Sequence, residues 1–345
     1  MRHVTPWRVA GVVVVCLVVT YLILIRIPSD KYVLLVDQAH PVAPLVNVQG
    51  GKPAKSGSLY FVDVKEERAS ELQSIFPSLL PAHSSFVPAG VIVPPCSTPE
   101  QANEAALQEM AFSQKVAAAV ALRKLHYHVV VKPTGVIVSQ VIPGLRKTPH
   151  GPVIPTHVGC KLQPMDVVLA VDGTPTLTLL SLQNALARVK PGAVVRLRIR
   201  RAGKILTVPI KTIDDGGRAL VGFDPAQLAT FKLPRKVTID ANGIGGPSAG
   251  LAFTLEVMQQ LGRNVLHGHK VAATGEMELN GAVGPIGGIK QKTYGVRKAG
   301  ADVFLVPVGG HNLRDARRYA GPLRIIGVRS LDQALHDLAT LPPSS

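Results

Sequence analysis

The stretch Gly245-Gly246-Pro247-Ser248-Ala249-Gly250 places one serine hydroxyl among glycines just ahead of an apolar run. Leu251, Leu255, Met258 and Leu261 recur at helical spacing, which sets Ser248 near a helix N-terminus. Unpaired backbone N–H groups and the helix dipole converge at such a point and favour a developing oxyanion. The hydroxyl is a weak nucleophile until a base removes its proton. Lys290, closing the segment Gly287-Gly288-Ile289-Lys290, is the candidate base. A lysine serves only when neutral, so an apolar site or a nearby positive charge must pull it well below its ordinary ~10.4. Gly287 and Gly288 permit the close backbone approach that such a junction needs. Lys292, Arg297 and Lys298 read as the exposed side of the helix that follows. The chemistry predicted is acyl transfer: Ser248 attacks a peptide carbonyl, Lys290 passes its proton to the leaving amine, and water hydrolyses the acyl-enzyme.

Three ordered segments, Gly246 to Gly250, Thr274-Gly275-Glu276 and Pro285-Ile286-Gly287-Gly288-Ile289-Lys290, resemble the proteolytic domain of the Lon family of serine–lysine proteases. The likeness runs on through Gln291-Lys292 to Ala299-Gly300 and the strand Val303 to Pro307, about the last third of the chain. The resemblance implies a mixed α/β domain over 214–345 with Ser248 and Lys290 as the catalytic dyad. It further implies Thr274 as the residue orienting the Lys290 amine, an oxyanion held near Gly246 and Ser248, no cofactor, and a homo-oligomeric ring. Many Lon enzymes have an acidic residue where this chain has Gly245. The chain also lacks a G-x-x-x-x-G-K-[S/T] phosphate loop, so the resemblance departs from the ATP-driven members. Ser248 also fits the G-x-S-x-G elbow of α/β-hydrolases, with Asp302 and His311 or His336 as nominal partners. That alternative leaves the Pro285 to Lys290 segment without a role.

The elements that position these residues begin with Val9 to Ile27, an apolar run between Arg8 and Lys31 with Trp7 and Tyr21 suited to an interface. It reads as an uncleaved transmembrane anchor over 9–27 behind a cytoplasmic 1–8, because Ile25-Arg26-Ile27-Pro28 has no small-residue cleavage site. The expected location is therefore the cell membrane, single-pass, with the bulk of the chain on the extracytoplasmic side. Residues 28–97 read as a β-rich connector without a catalytic cluster. Thr98-Pro99-Glu100-Gln101 opens a helix that runs over 98–125. From 126 to 213 the order of strands and one helix, with Met165-Asp166-Val167-Val168-Leu169-Ala170-Val171-Asp172-Gly173, looks like a PDZ domain. Such domains bind C-terminal tails as an added strand, with a glycine-containing loop for the carboxylate. That loop is expected near Leu125-His126-Tyr127-His128, where His126 stands in place of the family's glycine. Asp166 and Asp172 read as turn residues. Anchor, PDZ-like domain and Lon-type domain in this order resemble the membrane-anchored PDZ–Lon proteins of bacteria.

Thirty-eight Lys and Arg against 22 Asp and Glu give +16, and Arg196, Arg198 and Arg200 line one strand face. No exposed aromatics interleave with them, which argues against nucleic acid as partner. His267 and His269 lack further ligands for a metal. Cys96 and Cys160 either pair, if both lie outside the cytoplasm, or stay as separate thiols. The reading is a multidomain, ATP-independent serine endopeptidase acting on protein or peptide substrates. A PDZ binding scaffold with an inactive or self-processing protease domain is the competing class.

Overall fold

The computed structural model describes residues 6–94, 96–141, 146–148, 151–153 and 160–342. Residues 1–5, the Pro143-Gly144 pair of the PDZ pattern and the last three residues lie outside them. Helix α1 (Pro6–Arg26) covers the apolar run. Among the described residues no helix is long and apolar enough to cross a membrane, which overturns the transmembrane anchor expected at 9–27. The apolar run with described side chains, Ala10 to Ile25, rises about 24 Å, against ~30 Å of bilayer hydrocarbon.

Residues 28–97 are not a connector. Strands β1 (Pro28–Pro41) and β2 (Ser58–Ser70) pair antiparallel, and β3 (Ser85–Pro88) adds to the outer edge of β1. These three are half of the sheet that carries the Lon-like region. Helix α2 (Pro99–Lys124) starts as its sequence dictates: Thr98 caps the Gln101 N–H, the Gln101 side chain returns the bond, and Pro99 sits in the first turn. It does not simply lead into the PDZ-like region, because Met110, Val116, Ala117, Val120 and Ala121 pack into the core of the C-terminal part.

The PDZ-like sheet follows, from β4 (Val130–Val141), β5 (Val167–Val171), β6 (Val194–Arg201) and β7 (Lys204–Lys211), with α3 (Leu179–Leu186) between β5 and β6. It extends past the expected boundary at 213. Ile213 to Leu220 form a small hairpin that turns at Gly216-Gly217, and β8 (Phe223–Lys232) closes the sheet in the order β7-β6-β5-β4-β8. The arginines of β6 face outward while Val195, Leu197 and Ile199 are buried, as their alternation predicts. Asp166 takes a bidentate pair from Arg201 at 2.7 and 2.6 Å, a structural use of both residues.

The chain then returns to the first sheet with α4 (Gly250–Gln260), β9 (Lys270–Ala273), α5 (Ile289–Lys298), β10 (Val303–Pro307), α6 (Asn312–Tyr319), β11 (Arg324–Val328) and α7 (Leu331–Ala339). The strand order is β11-β10-β9-β2-β1-β3, and the central joint is parallel, Lys270 opposite Ser58 and Ala272 opposite Tyr60. Phe61 points into the core shared by α2 and α4, and Val62 into the one under α5 and α6. The PDZ-like region is thus inserted between two stretches of one α/β domain. Cys96 and Cys160 form a disulfide, Cα to Cα 5.3 Å, between the segment ahead of α2 and the inserted sheet.

Candidate active site

Ser248 lies two residues before α4, in a loop pinned from both sides. Helix α2 holds its front: the Gly246 N–H donates to Ala106 O at 2.8 Å, and the Ser113 hydroxyl to Pro247 O at 3.2 Å. A Cβ on Gly245 would meet Ala106 Cβ at 2.9 Å, so α2 occupies the space an acidic side chain would need there. The end of β9 holds its back. The Gly275 N–H and the Thr274 hydroxyl donate to Ser248 O at 2.7 and 3.1 Å, and the Leu251 N–H returns a bond to Gly275 O. Thr274 therefore fixes the backbone of the nucleophile rather than a lysine amine.

The lysine on Ser248 is Lys292, not Lys290. Lys292 Nζ donates to Ser248 Oγ at 2.6 Å, while Lys290 Nζ donates to Ser84 O at 2.9 Å and lies 5.9 Å from the Tyr319 ring. Two residues apart on a helix, their side chains diverge by about 200°. Ile289, Lys292 and Val296 share the buried face of α5, and Lys292 is 3% exposed. A lysine at i+3 from one buried aliphatic and i−4 from another is the signal that identifies it, whereas the expectation placed Lys292 on the solvent side. Gly288 starts the helix in a left-handed conformation, φ +67°, against Val64 of β2, where any Cβ would sit 2.6 Å from a valine methyl.

Burial pushes the Lys292 amine down to about 8, with Asp63 and Glu66 of β2 pulling the other way. Desolvation likewise raises both carboxyls, and His40, 3.3 Å from Asp63, opposes the rise there. The Gly246 N–H, expected near the oxyanion, is already committed to Ala106. Among the described residues the N–H groups of Ser248 and Ala249 have no partner, which leaves them as the donors beside the nucleophile.

Leu125 to His128 do not form a tail-binding loop. They end α2: Leu125 and Tyr127 donate back into the helix, His126 takes the left-handed conformation at φ +64°, and Tyr127 lies under Arg235 at 5.1 Å. Among the described residues, a glycine-containing loop beside a sheet edge that no further strand covers is Leu220-Val221-Gly222-Phe223, which leads into β8. Gly222 has φ +68°, and among the described residues the Val221 and Gly222 N–H groups have no partner. Successive free N–H groups in such a turn form an anion-binding nest. Next to it the Gln227 side chain bridges β8 to α3, donating to Leu177 O at 3.0 Å and accepting from the Leu179 N–H at 3.1 Å.

Asp302 accepts from the Lys270 N–H and lies 4.0 Å from His269, and among the described residues neither His311 nor His336 bonds to Ser248. The hydrolase-type triad is not assembled. The described residues with metal-ligand spacing are Asp37, His40 and Asp63, whose donor atoms lie within 4.8 Å of one another, and not His267 with His269.

With this geometry in hand, two family matches account for most of the chain beyond residue 119. The Lon protease (S16) C-terminal proteolytic domain matches residues 230–339, and the PDZ domain matches residues 120–212. Lon protease 1 of Myxococcus xanthus is 38% identical over 98 residues, 28% of this chain and 12% of that protein. Lon protease 2 of Bacillus subtilis is 31% identical over 101 residues, 29% of this chain and 18% of its own length. Lon protease of Chloroflexus aurantiacus is 34% identical over 130 residues, 36% of this chain and 15% of its own. The matched stretch spans less than a fifth of each of these relatives.

Proposed function

From a chain that carries a PDZ domain and a Lon-type serine protease domain, we propose an ATP-independent endopeptidase that uses Ser248 and Lys292 as its dyad. One observation carries this reading: a buried lysine amine 2.6 Å from the serine oxygen, with its proton affinity lowered to about 8. Near that pH a useful fraction of the amine is neutral, and the contact then runs the other way, with the serine proton directed at Nζ. Attack on a peptide carbonyl moves that proton to Lys292, which returns it to the departing amine. The Ser248 and Ala249 N–H groups receive the oxyanion. Water then takes the place of the amine, Lys292 removes its proton, and the acyl-enzyme is cleaved.

Substrate capture falls to β8 in this proposal. An extended peptide pairs with its outer edge while the terminal carboxylate sits on the Val221 and Gly222 N–H groups. The exposed Leu177 and Leu180 beside α3 favour an apolar side chain in the tail. Unfolded segments and tails are the expected substrates. The Cys96–Cys160 disulfide supports an oxidising compartment outside the cytoplasm.

The test is cleavage of an unfolded protein by the full chain without nucleotide, from pH 6 to 10. Ser248→Ala and Lys292→Met should each reduce kcat by about 10²–10⁴-fold. The wild-type rate should rise through a limb near pH 8. Full activity in Lys292→Met would sink the dyad. Tail binding with no cleavage by any form would favour the scaffold.

A further inference from the structure

Within the first turn of α5, Lys292 reaches Ser248 while its two predecessors reach a strap formed by residues 81–85, which runs into β3 at Ser85. Lys290 Nζ donates to Ser84 O at 2.9 Å. Gln291 Nε2 donates to His83 O at 3.1 Å and to Ser85 Oγ at 2.7 Å. The His83 ring stacks on Tyr294, one turn along the same helix, at 3.7 Å between centroids and 15° between planes. Tyr294 in turn contacts Tyr319 of α6 at 5.8 Å. Every one of these contacts joins the strap or its backing to the helix that carries Lys292.

We propose that the 81–85 strap is a positioning element for Lys292, clamping the first turn of α5 so that the lysine stays on Ser248 and out of water. The proposal rests on the Ser248–Lys292 reading. Gln291 is the strongest support, because it is 1% exposed and both protons of its amide are spent on the strap. With the strap displaced, a buried carboxamide would lose its partners, so strap and helix are stable only together. The strap itself is stiff. Its tip is closed by the Ser84 N–H and hydroxyl on Pro81 O, and its root pairs with β1, Ser85 opposite Leu34. The charged groups that face Lys292 come from β2, Asp63 and Glu66, with His40 and Asp37 of β1 acting on Asp63. None of them belongs to the strap, so its effect on the lysine is through position and exclusion of water.

Steady-state kinetics of the full chain across pH test this with Lys290→Met, Lys290→Arg, Gln291→Ala and His83→Ala, beside Lys292→Met. Loosening the clamp in Lys290→Met and Gln291→Ala should lower kcat by about ten- to hundredfold with KM unchanged, since a small misplacement of a catalytic group is costly. Water reaching the amine should also move the rising limb to higher pH, by about one unit. Lys290→Arg keeps a donor for Ser84 O and should restore both. His83 is exposed, so His83→Ala tests the clamp without threatening the core, with smaller shifts in the same directions. Wild-type kcat and an unmoved limb in both His83→Ala and Lys290→Met, with Lys292→Met inactive, overturn the strap and leave the dyad standing. An active Lys292→Met overturns the dyad and the strap with it.

Discussion

Among the described residues every strand partner of the PDZ sheet lies inside one continuous stretch, with Lys232 opposite Val130 as its widest join. The proteolytic domain is built the other way. Its central parallel joint sets Lys270 against Ser58, with the whole PDZ domain and α2 between them in sequence. The chain therefore enters the inserted domain through an element that touches the nucleophile loop. Helix α2 leads into it and pins Gly246 and Pro247, and β8 leads out of it toward Ser248. Phe231 of β8 packs edge-on against Phe112 of α2 at 5.6 Å, so the entry and exit of the inserted domain meet on the helix that pins the serine loop.

The comparison breaks most visibly if the two cores are truncated in turn. Phe61→Ala removes a fully buried ring that packs on Phe253 at 5.7 Å and should cost about 3–5 kcal/mol, although Phe61 lies far upstream of every catalytic motif. Cleavage should be lost with it on warming. Leu197→Ala, in the PDZ core, should cost about 2–5 kcal/mol of that domain's stability while a short peptide is still cut. Denaturant unfolding followed by separate probes for the two domains measures both. Equal loss of peptide cleavage in the two variants would mean that the domains melt as one unit.

That asymmetry also explains what could be read from the residues alone. The PDZ pattern, the capped start of α2 and the Ser248 loop are local, written in alternation, capping residues and glycines within a few positions of one another. The first half of the proteolytic domain is not. Leu59, Phe61 and Val62 read equally well as a short exposed hairpin until β9, some two hundred residues later, supplies the parallel neighbour. The two lysines are hard to tell apart for a related reason. Lys290 and Lys292 share the motif, and only the buried companions Ile289 and Val296 say which of them faces inward. The glycine turn beside the sheet edge is equally hard to place from the residues, because Leu220 to Phe223 lies after the expected domain boundary and not ahead of β4.

Lys292 offers a second, thermodynamic way to sharpen the contrast, since PDZ stability should be blind to it. Its folded value of about 8 lies below the unfolded ~10.4, so the unfolded chain binds the extra proton between these limits. Stability then rises with pH across that window, and below it the buried amine carries its full penalty. Lys292→Met should therefore stabilise the proteolytic domain at pH 7 by roughly 3 kcal/mol, with the gain fading above pH 8. Thermal melts at pH 7 and 10 read the difference. A gain that is the same at both values would mean that lost volume or packing, not ionisation, controls the site.

The smallest expected effect concerns the edge that joins the two regions. Gln227 places a carboxamide, chemically a peptide group, between β8 and the start of α3, donating to Leu177 O and accepting from the Leu179 N–H. It also donates to Gly135 O and Leu228 O, so its single amide spans both strands and the helix. An incoming tail that needs the space between strand and helix must displace it. Gln227→Ala should then tighten binding of an apolar C-terminal peptide several-fold, each lost bridging bond being worth about 0.5–1.5 kcal/mol in the closed form. Calorimetric titration with the peptide as free acid and as C-terminal amide separates the two parts. The free acid should gain from Gln227→Ala, and amidation should weaken binding in both forms by removing the charge seated on the Val221 and Gly222 N–H groups. If the variant binds more weakly than wild type, Gln227 is a contact for the tail and not a bolt across its groove.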